Sequence, residues 1–433
     1  MNNAEGIKVG PIQLVPGVSR WNFWSFMYAS FIGIGILAGL NIMQPYVLTE
    51  ILKLPRDVQG TVSGDLGVWQ EIVTLLLINP FGWMSDRIGR RPLMIFGILV
   101  CGAGLALYPF AADVTQLTLC RVLFAVGSAD IAAIIVVIAN DYPEESSRGI
   151  LVGLTNAMNG VGVLFMTFVI AQIPAFLVAG GTDAVTAGRV MFLVAAAMCL
   201  VSAVWFRFGL QAGTPRAVDE QPPWNVLMLS GVKAARNPRI LLSYGAAFIA
   251  RADMSITGMF LSLWAIAAAP DAGFSTPDAL ARGGLMLGVI SLIGMLWVGV
   301  FGWFLDKVNR VTGVAIAMGI ASVGYLSMLI VTSPLDFKML PWFALMSIGQ
   351  ISVMAASVTL VGQEAAPEER GAIVSMNSFF GALGIFFAFA IGGRLFDAYA
   401  PSAPFIMAGV VQVILFAAAL LVRFASPGEA KSD

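Results

Sequence analysis

The sequence predicts an all-α membrane protein with twelve transmembrane helices in two pseudo-symmetric six-helix halves. Three observations carry that prediction: the composition, the count of long apolar runs, and two charged loops that recur in register. Of the chain, 58% is hydrophobic and only 11% charged, against roughly 25% charged in a typical soluble domain. A membrane span needs about 20 mostly apolar residues. On that criterion the first half holds spans at 23–46, 61–82, 92–112, 115–139, 149–173 and 189–209. The second half holds them at 240–268, 283–305, 312–332, 341–363, 372–394 and 404–424. This divides the chain into a segment 1–22, a half 23–209, a polar linker 210–239, a half 240–424 and a tail 425–433.

The second span runs into Gly82-Trp-Met-Ser-Asp86-Arg87-Ile-Gly89-Arg90-Arg91. The same loop returns after the eighth span as Gly302-Trp-Phe-Leu-Asp306-Lys307-Val-Asn309-Arg310. A second pair recurs beside it: Pro143-Glu-Glu-Ser-Ser-Arg148-Gly149 follows span four, and Pro367-Glu-Glu-Arg370-Gly371 follows span ten. Two loop pairs in register imply a duplicated membrane unit, the construction of many secondary transporters.

The pattern G-x-x-x-D-R-x-G-R-R resembles the loop signature of the major facilitator superfamily. The first copy matches every specified position; the second carries Lys307 for Arg87 and Asn309 for Gly89. The resemblance implies a gate at the inner face, formed by Gly82, Asp86, Arg87, Gly89, Arg90, Arg91, Gly302, Asp306, Lys307, Arg310, Arg148 and Arg370. In it Asp86 is expected to face Arg370 and the start of span eleven, and Asp306 to face Arg148 and the start of span five. Those helix starts carry partial positive charge, and Gly82 and Gly302 are expected to allow close helix approach. The alternative is that the arginines only set topology and the aspartates are solvated.

Span four contains Arg121-Val-Leu-Phe-Ala-Val-Gly127, similar to the family's R-x-x-x-G-type motif there. The resemblance implies a place near a proton-coupling path for Arg121; the other reading is an arginine snorkelling to the outer interface. Span five lacks the G-P-x-x-G-G element of drug/proton antiporters and reads Gly160-Val-Gly162-Val-Leu-Phe instead. That weakens an antiporter reading.

Composition also excludes. The net charge of −1 gives no reason to expect a nucleic-acid partner. The chain has no histidine, which removes His metal sites, His bases and imidazole relays. Cys101, Cys120 and Cys199 lie in apolar segments without ligand spacing and read as packing residues, not disulfides or a metal site. The polar first 20 residues lack a signal-peptide pattern, so the first span is expected to act as the uncleaved insertion signal. In the linker, Trp224–Asn237 reads either as a helix on the cytoplasmic surface or as a structured turn without lipid contact. With both termini inside, sixteen Lys and Arg fall on inner segments and six on outer ones, and Arg121 and Arg251 lie within spans. That bias predicts cytoplasmic termini.

An ionisable group inside a span costs at least a few kcal/mol, so each one calls for a partner or a purpose. By helical rise, Glu71, Asp130 and Arg251 each lie roughly 16 Å from the inner boundary, near the midplane. One reading is a permanent ion network in which Arg251 neutralises Asp130 or Glu71. The other makes a carboxylate the proton carrier and Arg251 the counter-ion of the substrate or the sensor of protonation. Asp253 lies about 200° around the helix from Arg251 and cannot share its direction. Gln70, Asn156, Asn159, Gln350 and Asn377 could bind a polar solute or simply join helices. Tyr28, Trp69, Phe248, Trp264 and Trp297 could wall an apolar cavity.

The expectation is a secondary transporter of a small organic solute working by alternating access. It is expected to be proton-coupled and to import an anionic or zwitterionic substrate by symport. A multidrug/proton antiporter is the alternative within transport, and a non-transporting membrane sensor on a transporter fold the alternative outside it. With no G-x-S-x-G, no His site and no paired carboxylates on adjacent helical turns, an enzyme ranks last. No cofactor or metal is expected. The expected partners are solute, protons and lipid, and the chain is expected to act as a monomer in the inner (plasma) membrane.

Overall fold

The computed structural model describes residues 7–213, 224–364 and 370–426, and of Trp224–Met228 and Arg370 it describes the backbone alone. The linker prolines Pro215, Pro222 and Pro223, the Pro367–Glu369 copy of the repeated loop, and the tail from 427 onward lie outside the described residues. Twelve helices among those described are long and apolar enough to cross a membrane.

The helices are α1 (Arg20–Tyr46), α2 (Arg56–Ile88), α3 (Arg90–Leu107), α4 (Val114–Asp141), α5 (Arg148–Phe168), α6 (Ile173–Ala179) and α7 (Ala184–Gly209). Then follow α8 (Trp224–Ala234), α9 (Pro238–Ser255), α10 (Leu261–Ala267), α11 (Thr276–Leu305), α12 (Arg310–Leu326), α13 (Leu340–Glu364), α14 (Arg370–Ala398) and α15 (Ala403–Ala425). Two π-turns interrupt the first helix of each half, at Val47–Ile51 after α1 and at Ile256–Phe260 between α9 and α10.

The helices outrun the apolar stretches because polar caps extend them. The first turn of a helix leaves backbone N–H groups without partners, and short polar side chains supply acceptors. Ser19 and Asn22 cap α1 reciprocally, Asp113 takes Gln116 N at 2.8 Å for α4, and Asn309 takes Val311 N and Thr312 N for α12. Asp183, in the connection before α7, accepts from Thr186, and that bond holds its carboxyl below the ordinary aspartate range.

Residues 7–19, before α1, form a docked hairpin segment, which their polar composition did not suggest. Strands β1 (Lys8–Val9) and β2 (Ile12–Gln13) form a small antiparallel hairpin pairing Lys8 with Gln13 and Val9 with Ile12. It docks on the connection between α4 and α5: Val15 N donates to Tyr142 O (3.0 Å), Glu144 N to Gln13 O (2.9 Å) and Gln13 N to Ser147 Oγ (3.0 Å). Ile12, Leu14 and Val18 are buried there. Tyr142, covered by this segment, accepts from Gln211 N at 3.1 Å, and burial pushes its hydroxyl up to about 12.

The chain forms two compact units. One contains Met1–Leu54, Trp69–Asp219 and Ser275–Gly284; the other contains Pro55–Val68, Glu220–Phe274 and Leu285–Asp433. Thus α2 and α11 each divide between units. In the first, α3 packs on α4 and α7, and α1 on α5; in the second, α12 packs on α13 and α15, and α9 on α13 and α14. The linker helix α8 lies on α14 in the second unit, where Tyr244 donates to Gly231 O at 3.1 Å. Leu229 and Val232 stay exposed on it.

Glycine sets the tightest crossing in each unit. At Gly162 of α5 a Cβ would overlap the Phe31 carbonyl of α1; at Gly384 of α14 it would overlap the Phe248 carbonyl of α9. Backbones meet there as small residues allow in membrane helices. Gly162→Ala and Gly384→Ala should each cost about 1–3 kcal/mol through overpacking. Thermal unfolding in detergent should place both below wild type, with Gly82→Ala, whose Cβ meets open space, unchanged. An unshifted melting point for Gly384→Ala would refute the contact.

Candidate functional site

At the end of α2, Arg90 folds back on its own loop. It pairs with Asp86 (2.9 Å) and Asp141 (2.8 Å) and donates to Ser85 O (2.8 Å). Gly89, just before it, has φ +92°, a conformation that favours glycine. The second copy repeats the fold-back: Arg310 pairs with Asp306 (3.1 Å) and donates to Leu305 O. Asn309 turns there with φ −57° and caps α12 with its side chain, so the Gly-to-Asn difference is a change of turn chemistry. Both loops also stack a cation on tryptophan: Arg87 over Trp83 at 3.8 Å and Lys307 over Trp303 at 3.5 Å.

Gly82 and Gly302 sit one helical turn before the fold-back, and a Cβ at either would have nothing within 4 Å. Arg148 pairs within its own loop with Glu145 (2.5 Å). Arg91 is half-buried, and the side chain of Arg370 lies outside the described residues.

Within the first unit, Arg121 is fully buried. Its guanidinium turns onto α1, donating to Gln44 Oε1 (3.0 Å) and Asn41 Oδ1 (2.5 Å), and Tyr108 donates to the same Gln44 oxygen (2.7 Å). The side chain therefore reaches sideways instead of snorkelling out. Asp130 is fully buried too, its carboxylate over Gly97 in the α3–α4 contact, with neither oxygen hydrogen-bonded to a side chain among the described residues. Glu71 is buried on α2. With its amide oriented so that nitrogen donates, Asn159 reaches Ser30 O (3.1 Å) and Thr155 O (3.2 Å), a helix-joining role, while Asn156 is exposed on α5.

Within the second unit, Arg251 and Asp253 do face different ways: Arg251 is exposed and Asp253 fully buried. Asp253 Oδ2 accepts from Gln412 Nε2 at 2.6 Å, and Tyr325 lies beside the carboxylate. Thr257, in the π-turn, contacts Tyr325 OH (3.3 Å) and donates to Gln350 Oε1 (3.4 Å). Asn377 accepts from Ser243 Oγ at 3.3 Å. Of the aromatic residues, Trp264 is buried against Phe343 and Phe405, and Trp297 donates to Ser352 Oγ at 2.9 Å.

The two clusters share a frame. Gln44 precedes the π-turn at Val47 by three residues, as Asp253 precedes that at Ile256, and each meets a tyrosine from the third helix of its half, Tyr108 or Tyr325. Sequence reading missed Asn41, Gln44, Tyr108, Thr257, Tyr325 and Gln412. A polar residue in an otherwise apolar span was the one available signal.

The family model described as Major Facilitator Superfamily matches residues 22–342. The chain belongs to that superfamily. It is a transporter of this type, an integral membrane protein with the superfamily's helical fold. Among its relatives is Magnetosome protein MamH of Paramagnetospirillum magneticum, 29% identical, with 87% of each chain covered. Multidrug resistance protein 2 of Bacillus subtilis is 22% identical, covering 90% of this chain and 91% of that one. The crystal structure of nucleoside transporter NupG superposes with a TM-score of 0.68 at 12% identity, covering 93% of this chain and 99% of the other.

The two superfamily loops differ in burial, and that difference is measurable. Arg90 and Asp141 are largely buried, whereas the Asp306 carboxylate is 68% exposed. Arg90→Ala leaves buried acceptors unpaired and should cost about 3 kcal/mol or more. Arg310→Ala should cost under about 1 kcal/mol for its exposed pair. Equal melting-point losses for the two variants would contradict this ranking.

Proposed function

We propose that the chain is a proton-coupled symporter of a small anionic or zwitterionic solute. The observation that carries this reading is Arg251, an exposed cation well inside the seventh span. A guanidinium at that depth is costly against lipid, so its exposed face calls for a water-filled path. There it can meet a carboxylate or another anion. Gly381 of α14 leaves room for the Cβ–Cγ stem of the Arg251 side chain. Asn156, the exposed amide of α5, is a candidate solute contact, with Gln350 and Asn377 as further candidates. Glu71 and Asp130 are candidate proton carriers, and Arg121 a candidate for tuning them.

The named relatives include a magnetosome protein, a multidrug resistance protein and a nucleoside transporter, so no cargo passes from them to this chain. The likeness to Multidrug resistance protein 2 supports drug/proton antiport as the second reading. For the loop aspartates we propose the gating role that the motif implies: Asp86→Asn and Asp306→Asn should change transport rate more than solute affinity. The Lys and Arg bias supports an inner-membrane address with both termini cytoplasmic, and a monomer is the simplest working state.

The test is proton movement in vesicles carrying an internal pH dye, challenged with carboxylates, amines and sugars. Symport shows as solute-dependent acidification of the lumen. Arg251→Ala should raise the half-saturating solute concentration about thirtyfold, corresponding to the ~2 kcal/mol typical of removing one partner of a desolvated charge pair. Asp130→Asn or Glu71→Gln should uncouple proton from solute. Proton flow reversed in direction and driven by apolar amines would establish antiport; no solute-driven proton flow at all would sink both readings.

A further inference from the structure

The buried cluster around Asp253 is short of donors. Asp253 and Gln412 are fully buried. Gln412 Nε2 already donates to Asp253 Oδ2, yet Asp253 Oδ1 and Gln412 Oε1 have no hydrogen-bond partner among the described residues. Two acceptors without donors in one apolar cluster are expensive.

The hydroxyls on the other side lead to the same deficit. A hydroxyl has one proton to give. Thr257 meets both Tyr325 OH and Gln350 Oε1, and in the Thr257–Tyr325 contact either hydroxyl can donate. Tyr325 has one proton for Thr257 or for the carboxylate beside it, while Asp253 Oδ1 stays without a hydrogen-bond partner among the described residues, and a proton on the carboxyl group supplies the donor that is lacking. None of the neighbours supplies a charge in its place: α15 brings Gln412, α12 brings Tyr325, the π-turn brings Thr257 and α13 brings Gln350. Arg251, two residues away, is on the exposed side. No ion pair among the described residues includes Asp253.

We propose that Asp253 is a proton-carrying site within the second unit, loaded from the Gln350 edge through Thr257 and Tyr325. Asp253, Tyr325 and Gln412 are sealed, while Thr257 and Gln350 are each slightly exposed, at 5% and 8%. In loading, Thr257 Oγ takes a proton from hydronium at the Gln350 edge, which is left as water, and passes its own to the Tyr325 oxygen. Tyr325 passes its own to the Asp253 carboxylate. Each hydroxyl ends with one proton and the carboxylate gains one. The π-turn serves this route, since such turns recur at functional sites and this one places Thr257 against Tyr325. In the first unit the equivalent position is Gln44, which cannot change its charge. The inference rests on the proton-coupled reading above and names a carrier for it.

The test is infrared difference spectroscopy of the full chain in lipid nanodiscs, read in the carbonyl region of protonated carboxylic acids. A component present at neutral pH should vanish in Asp253→Asn and survive in Asp130→Asn and Glu71→Gln. Gln412→Leu, which keeps the acid, should move that component by removing its amide partner. Tyr325→Phe should keep it but slow its hydrogen–deuterium exchange about tenfold, the equivalent of one lost hydrogen bond of ~1.4 kcal/mol. No component lost in folded Asp253→Asn, or none moved in Gln412→Leu, would overturn the site. Wild-type exchange in Tyr325→Phe would overturn the route. None of these spectra needs a solute, so a positive result without solute-driven proton flow in vesicles would remove the transport reading alone.

Discussion

A polar group in an apolar interior must find its partner inside the protein, because lipid offers none. That constraint organises both units. Where the partner is a backbone carbonyl, the helix stays regular: Ser30, Thr155 and Ser322 each return their hydroxyls to the preceding turn. Where it lies on another helix, it ties the two together, as Ser243 and Ser357 do by exchanging bonds with each other's carbonyls. Where the group is ionisable, the demand is larger, and around two such groups the structure gathers neutral residues, whereas Asp130 has no side-chain hydrogen bond among the described residues. Arg121 draws Asn41 and Gln44, and Asp253 draws Gln412 and Tyr325. Asn41, Gln44, Gln412 and Tyr325 are thus placed by the groups they serve.

The same constraint explains what the duplication preserved. Both halves retain a glycine under a phenylalanine carbonyl, an arginine folded back on its loop, and a tryptophan beneath a cation. Each of these settles a local problem of close approach or polar satisfaction, so each persists wherever the fold does. Details with a second local solution drifted. Gly89 enters α3 through positive φ, whereas Asn309 enters α12 as an ordinary cap. Arg90 also holds Asp141, while Arg310 meets a more exposed aspartate.

How much was legible in the sequence follows from how local each signal is. Spans are a property of twenty consecutive residues, so all twelve could be read, with errors at the ends, where caps such as Ser19 and Asp113 start helices before the apolar run and α2 and α14 continue beyond it. The loop motif was legible as a family mark, but the turn chemistry by which Gly89 and Asn309 each enter the next helix was not. The hairpin at Lys8–Gln13 left no trace, since strands of two residues have no period to detect and their stability comes from the Tyr142–Ser147 connection. Arg121, Asp130, Glu71 and Arg251 were visible as charges in apolar runs. The partners of Arg121 were not, because Asn41 and Gln44 lie on another helix that shares no motif with it, and the same holds for Tyr325 beside Asp253.

The difference between Gln44 and Asp253 bears on what each unit can do. Both occupy the turn before a π-turn, and both accept a bond from a neighbour on another helix. An amide keeps the same donors, acceptors and charge in every state, although Gln44 Nε2 has no hydrogen-bond partner among the described residues. A carboxyl group satisfies such a frame in one protonation state and strains it in the other. In the first unit the fixed charge sits on Arg121, a group that does not deprotonate in proteins; its cluster can hold helices together but cannot exchange a proton with solvent. In the second unit the only ionisable groups in the cluster are Asp253 and Tyr325, and of these the carboxyl is the stronger acid. A single Gln-to-Asp difference in a duplicated frame therefore separates a fixed brace from a switchable one, and it assigns the switch to the unit that also presents Arg251.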